Sequence, residues 1–107
     1  HETMCGIDDC CAAAAKLLRF GGRFCLCHRP ERICDVMVSM RQHNLEPKRL
    51  RFVSKNENGA PWLFLIEGKL GARSFINIEK NLYIETTDGK PSEELLKIMG
   101  DYTEGKR

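Results

Sequence analysis

Six cysteines in the first third of the chain are the residues most obviously suited to chemistry. Cys25, Cys27 and Cys34 lie near His28, and thiolate and imidazole groups together could hold a soft metal ion. Zinc knuckles, however, need CxxC-like pairs, and these cysteines include none. Cys25 and Cys27 alternate with Leu26 in an apolar stretch, which places both thiols on one face of a strand. We therefore predict reduced, buried cysteines that act as small hydrophobic side chains, and no metal site; a metal or redox protein is the third alternative.

A second chemically useful group is basic. Arg29 and Arg32 follow one apolar stretch, and Lys55 follows another. The formal net charge of +2 is too small to indicate nucleic acid by itself, but cations placed together supply most of the affinity for phosphates. We predict that these three side chains contact phosphate groups, which the family resemblance described below implies to be those of RNA. The alternative is that the two arginines form exposed ion pairs with Glu31 or Asp35, which contribute only about 0–1 kcal/mol.

A small α/β domain is predicted to position these residues. An alanine-rich run that ends at a Gly-Gly pair predicts a first helix over 8–20. A proline suited to the first helical position, followed by apolar residues at helical spacing, predicts a second helix over 30–45. Apolar or alternating stretches predict strands over 23–28, 49–55 and 62–66. The second helix can connect two parallel strands, and the last strand can form an antiparallel hairpin with the one before it.

The rest of the chain gives weaker signals. Short extended segments are expected over 74–78 and 82–86, and a short helix over 92–99. We assign residues 1–100 to one domain and 101–107 to a frayed tail. With 30% charged and 42% hydrophobic residues, the composition is that of an ordinary globular domain. No apolar run is long enough for a signal peptide or a membrane span, and reduced cysteines favour a cytoplasmic location.

Three stretches of the chain resemble the bacterial tRNA(Val) adenine N-6 methyltransferase family, whose members are often described as predicted O-methyltransferases. They are Leu17-Leu18-Arg19-Phe20-Gly21-Gly22-Arg23-Phe24, His28-Arg29-Pro30-Glu31-Arg32 and Leu45-Glu46-Pro47-Lys48-Arg49-Leu50-Arg51-Phe52-Val53. The resemblance covers nearly the whole chain and is strongest before residue 68. It implies the C-terminal half of a Rossmann-like methyltransferase sheet, in which an antiparallel strand is inserted among parallel strands and a short C-terminal helix follows.

The same resemblance implies an S-adenosylmethionine-dependent enzyme that methylates the exocyclic amine of an adenine in tRNA. The family's glycine-rich cofactor motif and its Asn-Pro-Pro-Tyr catalytic motif would both precede His1, so we assign no catalytic residue and no cofactor ligand in this chain. His1 and Glu2 are similar to the dipeptide that follows the family's catalytic loop. We expect a fragment that is inactive alone and has lost its N-terminal half as a partner.

Two further expectations follow. Without an earlier neighbouring strand, the strand at 23–28 has a free edge, and a homodimer through residues 24–27 is expected there. A self-sufficient RNA-binding module, acting through the basic hairpin at 48–55, is the alternative function. Against that alternative, Trp62 and the phenylalanines lie in apolar runs and are predicted to be core residues rather than a base-stacking platform.

Overall fold

The computed structural model describes residues 6–85, which form two helices packed on one face of a mixed five-stranded sheet. The elements are, in chain order, α1 (Ile7–Leu17), β1 (Arg23–His28), a 3-10 helix (Pro30–Arg32), α2 (Ile33–Gln42), β2 (Leu45–Ser54), β3 (Pro61–Leu70), β4 (Asn77–Ile78) and β5 (Leu82–Tyr83). The predicted helix over 92–99, the tail over 101–107, and His1 and Glu2 lie outside the described residues.

The strand order is β1-β3-β2-β4, and β5 also pairs with β2. β3 runs antiparallel to both of its neighbours; Glu67, for example, pairs with Cys25 on one side and with Arg49 on the other. β1 and β2 are therefore parallel to each other, and β3 is inserted between them. This confirms the expected α/β sheet with an inserted antiparallel strand. The short strands β4 and β5 run parallel to β2 along its other edge.

The first helix is shorter than the predicted 8–20. It ends at Leu17 because Leu18 already has an extended backbone, with φ −83° and ψ 150°. The chain then turns through Gly21, whose φ of 84° lies in the left-handed region that favours glycine. The turn is needed because the chain must reverse direction to enter β1 beside the helix that precedes it.

The second predicted helix, 30–45, divides into the 3-10 helix and α2, which ends at Gln42. Asn44, with φ 62°, makes the reversal into β2, a conformation that asparagine tolerates better than most residues. Pro47 lies inside β2 opposite Gly68, at a register shift where the missing N–H is tolerated.

The hydrophobic core lies between the helices and one face of the sheet. Val36 and Met40 of α2, Cys11 of α1, and Phe64 and Ile66 of β3 form its centre, all almost fully buried. Among residues 6–85, every buried side-chain nitrogen or oxygen has a hydrogen-bond partner. The helices thus fix which face of the sheet is interior. Among residues 6–85 no helix covers the other face, which we call the open face.

Among residues 6–85, β1 is covered on one face and not on the other. Exposed and half-buried residues alternate along β1, and Cys25 and Cys27 share the exposed face. Cys34, at the start of α2, is exposed too. The prediction of buried thiols is therefore wrong for these three residues and confirmed for Cys11, because only the helix-covered face offers an apolar interior.

Candidate functional site

The carboxyl ends of β1 and β2 meet at one end of the sheet because the two strands are parallel. β1 ends at His28 and β2 at Ser54, so Arg29 and Lys55 begin the two connections at this end. In open α/β sheets, ligands bind outside the carboxyl ends of the parallel strands. We call the surface formed by Arg29, Lys55 and the start of β3 the carboxyl rim.

The three cations predicted to bind RNA differ in their partners. The Arg29 side chain is exposed and has no carboxylate partner within residues 6–85, while its backbone N–H donates to Nδ1 of His28 at 3.0 Å. Arg32 Nε donates to Asp35 Oδ2 at 2.7 Å, which is the exposed ion pair considered as the alternative. Lys55 Nζ lies 3.9 Å from Glu85 Oε1, a loose contact. Arg29 and Lys55 are therefore the more available of the three.

The basic hairpin, by contrast, uses its cations inside the fold. Lys48 Nζ donates to the backbone oxygens of Arg73 and Ser74 at 2.8 and 3.0 Å, and Arg51 Nε donates to the oxygen of Lys80 at 3.1 Å. These bonds attach the segment after β3 to β2. They favour a structural role for the hairpin cations over a phosphate-binding role.

Arg49 has the same structural role on the open face of the sheet. Its guanidinium donates to Glu79 Oε2 at 2.9 Å and to Glu67 Oε1 at 3.3 Å. The hydrogen bond to Glu79 and the two nearby carboxylates raise the pKa of Arg49, and the same bond lowers the pKa of Glu79. The positive charge of Arg49 is thus paired with two carboxylates of the same fold.

Trp62 was predicted to be a core residue, and this prediction is wrong. Its side chain is 55% exposed, although Phe64, two residues further along β3, is fully buried. Val53 pairs with Leu63 and Ser54 with Pro61, so Trp62 is the extra residue of a β-bulge. The bulge lies at the carboxyl rim, next to the end of β2. An apolar run in sequence gives no signal of a bulge, which depends on the register with the neighbouring strand.

The Cys25 thiol on the open face is not activated as a nucleophile. Burial and the Glu67 carboxylate, whose Oε2 lies 3.8 Å from the Cys25 sulfur, raise the pKa of the Cys25 thiol. A raised pKa disfavours the thiolate, which is the form that attacks electrophiles and binds metals. Within the described part of the chain, no three histidine, cysteine or acidic residues are grouped to hold a metal ion.

β1 lies at the end of the strand order and has one unpaired edge among the described strands. Leu70 N–H donates to the oxygen of Gly22 at 2.9 Å, and hydrogen-bonded positions alternate along an antiparallel pair. Arg23, Cys25 and Cys27 therefore direct their backbone N–H and C=O groups away from β3. This edge is available to another strand.

Among residues 6–85, no glycine-rich turn leads from a strand into a helix, which is the element where nucleotide cofactors commonly bind. The only glycine pair within residues 6–85, Gly21 and Gly22, connects a helix to a strand and lies at the opposite end of β1 from the carboxyl rim. We therefore assign no step of a methyl transfer to these residues.

In residues 6–85, no helix has the length and apolar character required to cross a membrane.

Comparison with solved structures bears on the fold. No family model matches the chain, and no curated protein matches it. The fold is similar to the crystal structure of a predicted O-methyltransferase, protein Atu636 from Agrobacterium tumefaciens, with a TM-score of 0.76 and 14% sequence identity. The match covers 92% of this chain and 46% of that one, so the chain spans about half the length of the protein it resembles. At this identity the likeness shows the fold alone: the mixed sheet with its two helices is arranged as in about half of that protein.

Proposed function

We propose that this chain is one part of an S-adenosylmethionine-dependent methyltransferase and that it is inactive without the remaining part of the domain. The observation that carries the proposal is the arrangement β1-β3-β2, two parallel strands with an antiparallel strand between them, in a fold that matches about half of a predicted methyltransferase. The free edge of β1 and the open face of the sheet are where the remaining part would pack.

We further propose an adenine exocyclic amine in tRNA as the methyl acceptor. The support is the resemblance of three sequence stretches to the tRNA adenine N-6 methyltransferases, together with two available cations, Arg29 and Lys55, at the carboxyl rim. An adenine must leave its stack to be methylated, and cations at the rim would hold the flanking phosphates. In this proposal, the role of the present chain within the enzyme is to bind and orient the RNA.

The test compares this 107-residue chain with the complete natural gene product that contains it. Each is incubated with S-adenosylmethionine and unmodified tRNA, and the nucleosides are analysed by mass spectrometry. We expect N6-methyladenosine from the complete protein and none from the chain alone. Methylation by the chain alone would contradict the inactivity, and a complete protein that binds no S-adenosylmethionine in calorimetry would contradict the whole proposal.

The alternative, an RNA-binding module acting through the hairpin at 48–55, is not favoured. Lys48 and Arg51 are hydrogen-bonded to backbone oxygens, and Arg49 is bonded to two carboxylates. Releasing them to bind phosphate would detach the segment after β3.

A further inference from the structure

We propose that Trp62 is a base-stacking residue, which binds an unpaired nucleotide of RNA at the carboxyl rim. This inference rests on the proposed function, because the rim is where the substrate of an open α/β sheet binds. It names the residue that would hold a base, in addition to the cations that would hold phosphates.

The first observation is the exposure of Trp62 against the pattern of its own strand. Residues 64, 66 and 68 of β3 are buried, and simple alternation would bury residue 62 with them. The bulge between Val53 and Ser54 breaks that alternation at this position. Bulges are over-represented next to binding and active sites, where they redirect a side chain.

The second observation is that Trp62 lies on the strand between the two connections that Arg29 and Lys55 begin. Ser54 pairs with Pro61, which brings the start of the Lys55 connection next to the start of β3. On the other side β3 contacts the 3-10 helix that follows Arg29. An exposed aromatic ring at the same end of the sheet as two cations suits single-stranded nucleic acid, because the ring can stack on a base while the cations hold the backbone.

The third observation is that the turn before Trp62 is held in shape. The backbone N–H of Asn58 donates to the side-chain oxygen of Asn56 at 2.9 Å, and Gly59 N–H donates to the backbone oxygen of Asn56 at 3.2 Å. A turn fixed by its own hydrogen bonds presents the following residues with less loss of entropy on binding. The start of β3 is thus preorganised.

The experiment uses the fact that Trp62 is the only tryptophan of the chain. The 107-residue chain is titrated with a fluorescein-labelled, unpaired 12-nucleotide RNA that contains adenine, and with a duplex of the same sequence. We expect the single strand to quench Trp62 fluorescence and to bind at least tenfold more tightly than the duplex. No quenching, or equal affinity for the duplex, would overturn the inference.

Variants separate stacking from general apolar contact. Trp62→Leu should weaken binding of the single strand about tenfold, within the range known for loss of one base stack, and Trp62→Phe should restore much of it. Phe75→Leu is the matched control, because Phe75 is 89% exposed and lies beside Pro47, toward the opposite end of the sheet. Equal losses for Trp62→Leu and Phe75→Leu, or no loss for Trp62→Leu, would overturn the inference.

Two further measurements separate base stacking by Trp62 from a protein interface at Trp62 and from the proposed methylation. Without RNA, a blue shift of Trp62 emission as the protein concentration rises would assign Trp62 to a protein interface and overturn the inference. The RNA titration needs no methyl donor. Binding that depends on Trp62 would therefore stand if the methylation test failed, and Trp62→Leu binding RNA normally would reject only the stacking role.

Discussion

Met40 of α2 packs directly against Gly68 of β3, and its terminal methyl group occupies the space that a Cβ at residue 68 would need. The backbone oxygen of Leu45 would lie 3.3 Å from the same Cβ. Met40 is fully buried, so it has little room to withdraw. The contact shows why this strand carries glycine where the Met40 side chain lies.

Gly68→Ala should therefore destabilise the fold by about 1–3 kcal/mol, the usual result of overpacking a core. Chemical denaturation followed by far-UV circular dichroism measures the free energy of unfolding. The matched control is Gly59→Ala, since a Cβ at Gly59 meets no atom within 4 Å. If both alanine variants lost the same stability, the close packing of Met40 and Gly68 would not be the cause.

A second prediction concerns pH. Asp8 Oδ1 accepts a hydrogen bond from Ser39 at 2.7 Å and lies 3.1 Å from His43 Nε2, and these partners lower the pKa of Asp8. A lowered pKa in the folded state means that Asp8 stabilises the fold fully above the pKa of the unfolded chain, near pH 4. Its contribution is lost as the pH falls further through the folded pKa.

We expect the wild type to lose stability more steeply than Asp8→Asn between about pH 4 and pH 2, and to be the more stable of the two at pH 7. Thermal unfolding across this pH range measures the difference. Asp9→Asn, one residue along α1, keeps the contacts with Ser39 and His43 and serves as the control. A wild type and an Asp8→Asn variant with parallel pH profiles would show that the contact does not link the helices energetically.

A third prediction tests the rim cations. Arg29→Glu and Lys55→Glu should each weaken binding of single-stranded RNA. If each cation neutralises one phosphate, each should also reduce the slope of log affinity against log salt by about 0.7. Arg73→Glu is the control, because Arg73 is exposed but its backbone oxygen is held by Lys48, away from the rim. Fluorescence anisotropy at several salt concentrations measures both quantities; equal effects of all three reversals would indicate non-specific electrostatics.

A fourth prediction concerns the free edge of β1. We propose that the isolated chain dimerises by antiparallel pairing of β1 with β1 of a second copy. The strand carries no proline and no bulge to prevent such pairing. A two-fold axis at Cys25 or Leu26 would bring Cys25 of one copy opposite Cys25 or Cys27 of the other. Light scattering should show a dimer at high protein concentration.

Mild oxidation of that dimer should join the two copies by a disulfide, which appears as a covalent dimer on non-reducing gels. Cys25→Ser combined with Cys27→Ser should abolish the product, and Cys34→Ser, which changes another exposed thiol, should preserve it. A clean monomer at millimolar concentration would reject the edge pairing. A covalent dimer that depended on Cys34 would place the interface elsewhere.

The sequence alone determined the element types and their order. Each of these elements leaves a local pattern in the sequence: alanine or apolar residues at helical spacing for the helices, and alternation for the strands. Such a pattern reflects the backbone geometry of a single element. They were sufficient to predict parallel strands joined by a helix with an antiparallel strand to follow. The same local information placed Arg29 and Lys55 just after two strands, where the structure has them.

Only the tertiary structure decided which residues are covered. Cys25 and Trp62 occupy apolar runs, and both were predicted to be buried. Cys25, however, lies on the sheet face that α1 and α2 do not cover, and Trp62 lies at a bulge. From the sequence, Lys48 and Arg51 could have bound phosphate. In the structure they donate hydrogen bonds to backbone oxygens of the segment after β3. Burial and pairing depend on residues far apart in the chain, so hydropathy and charge along the sequence do not determine them.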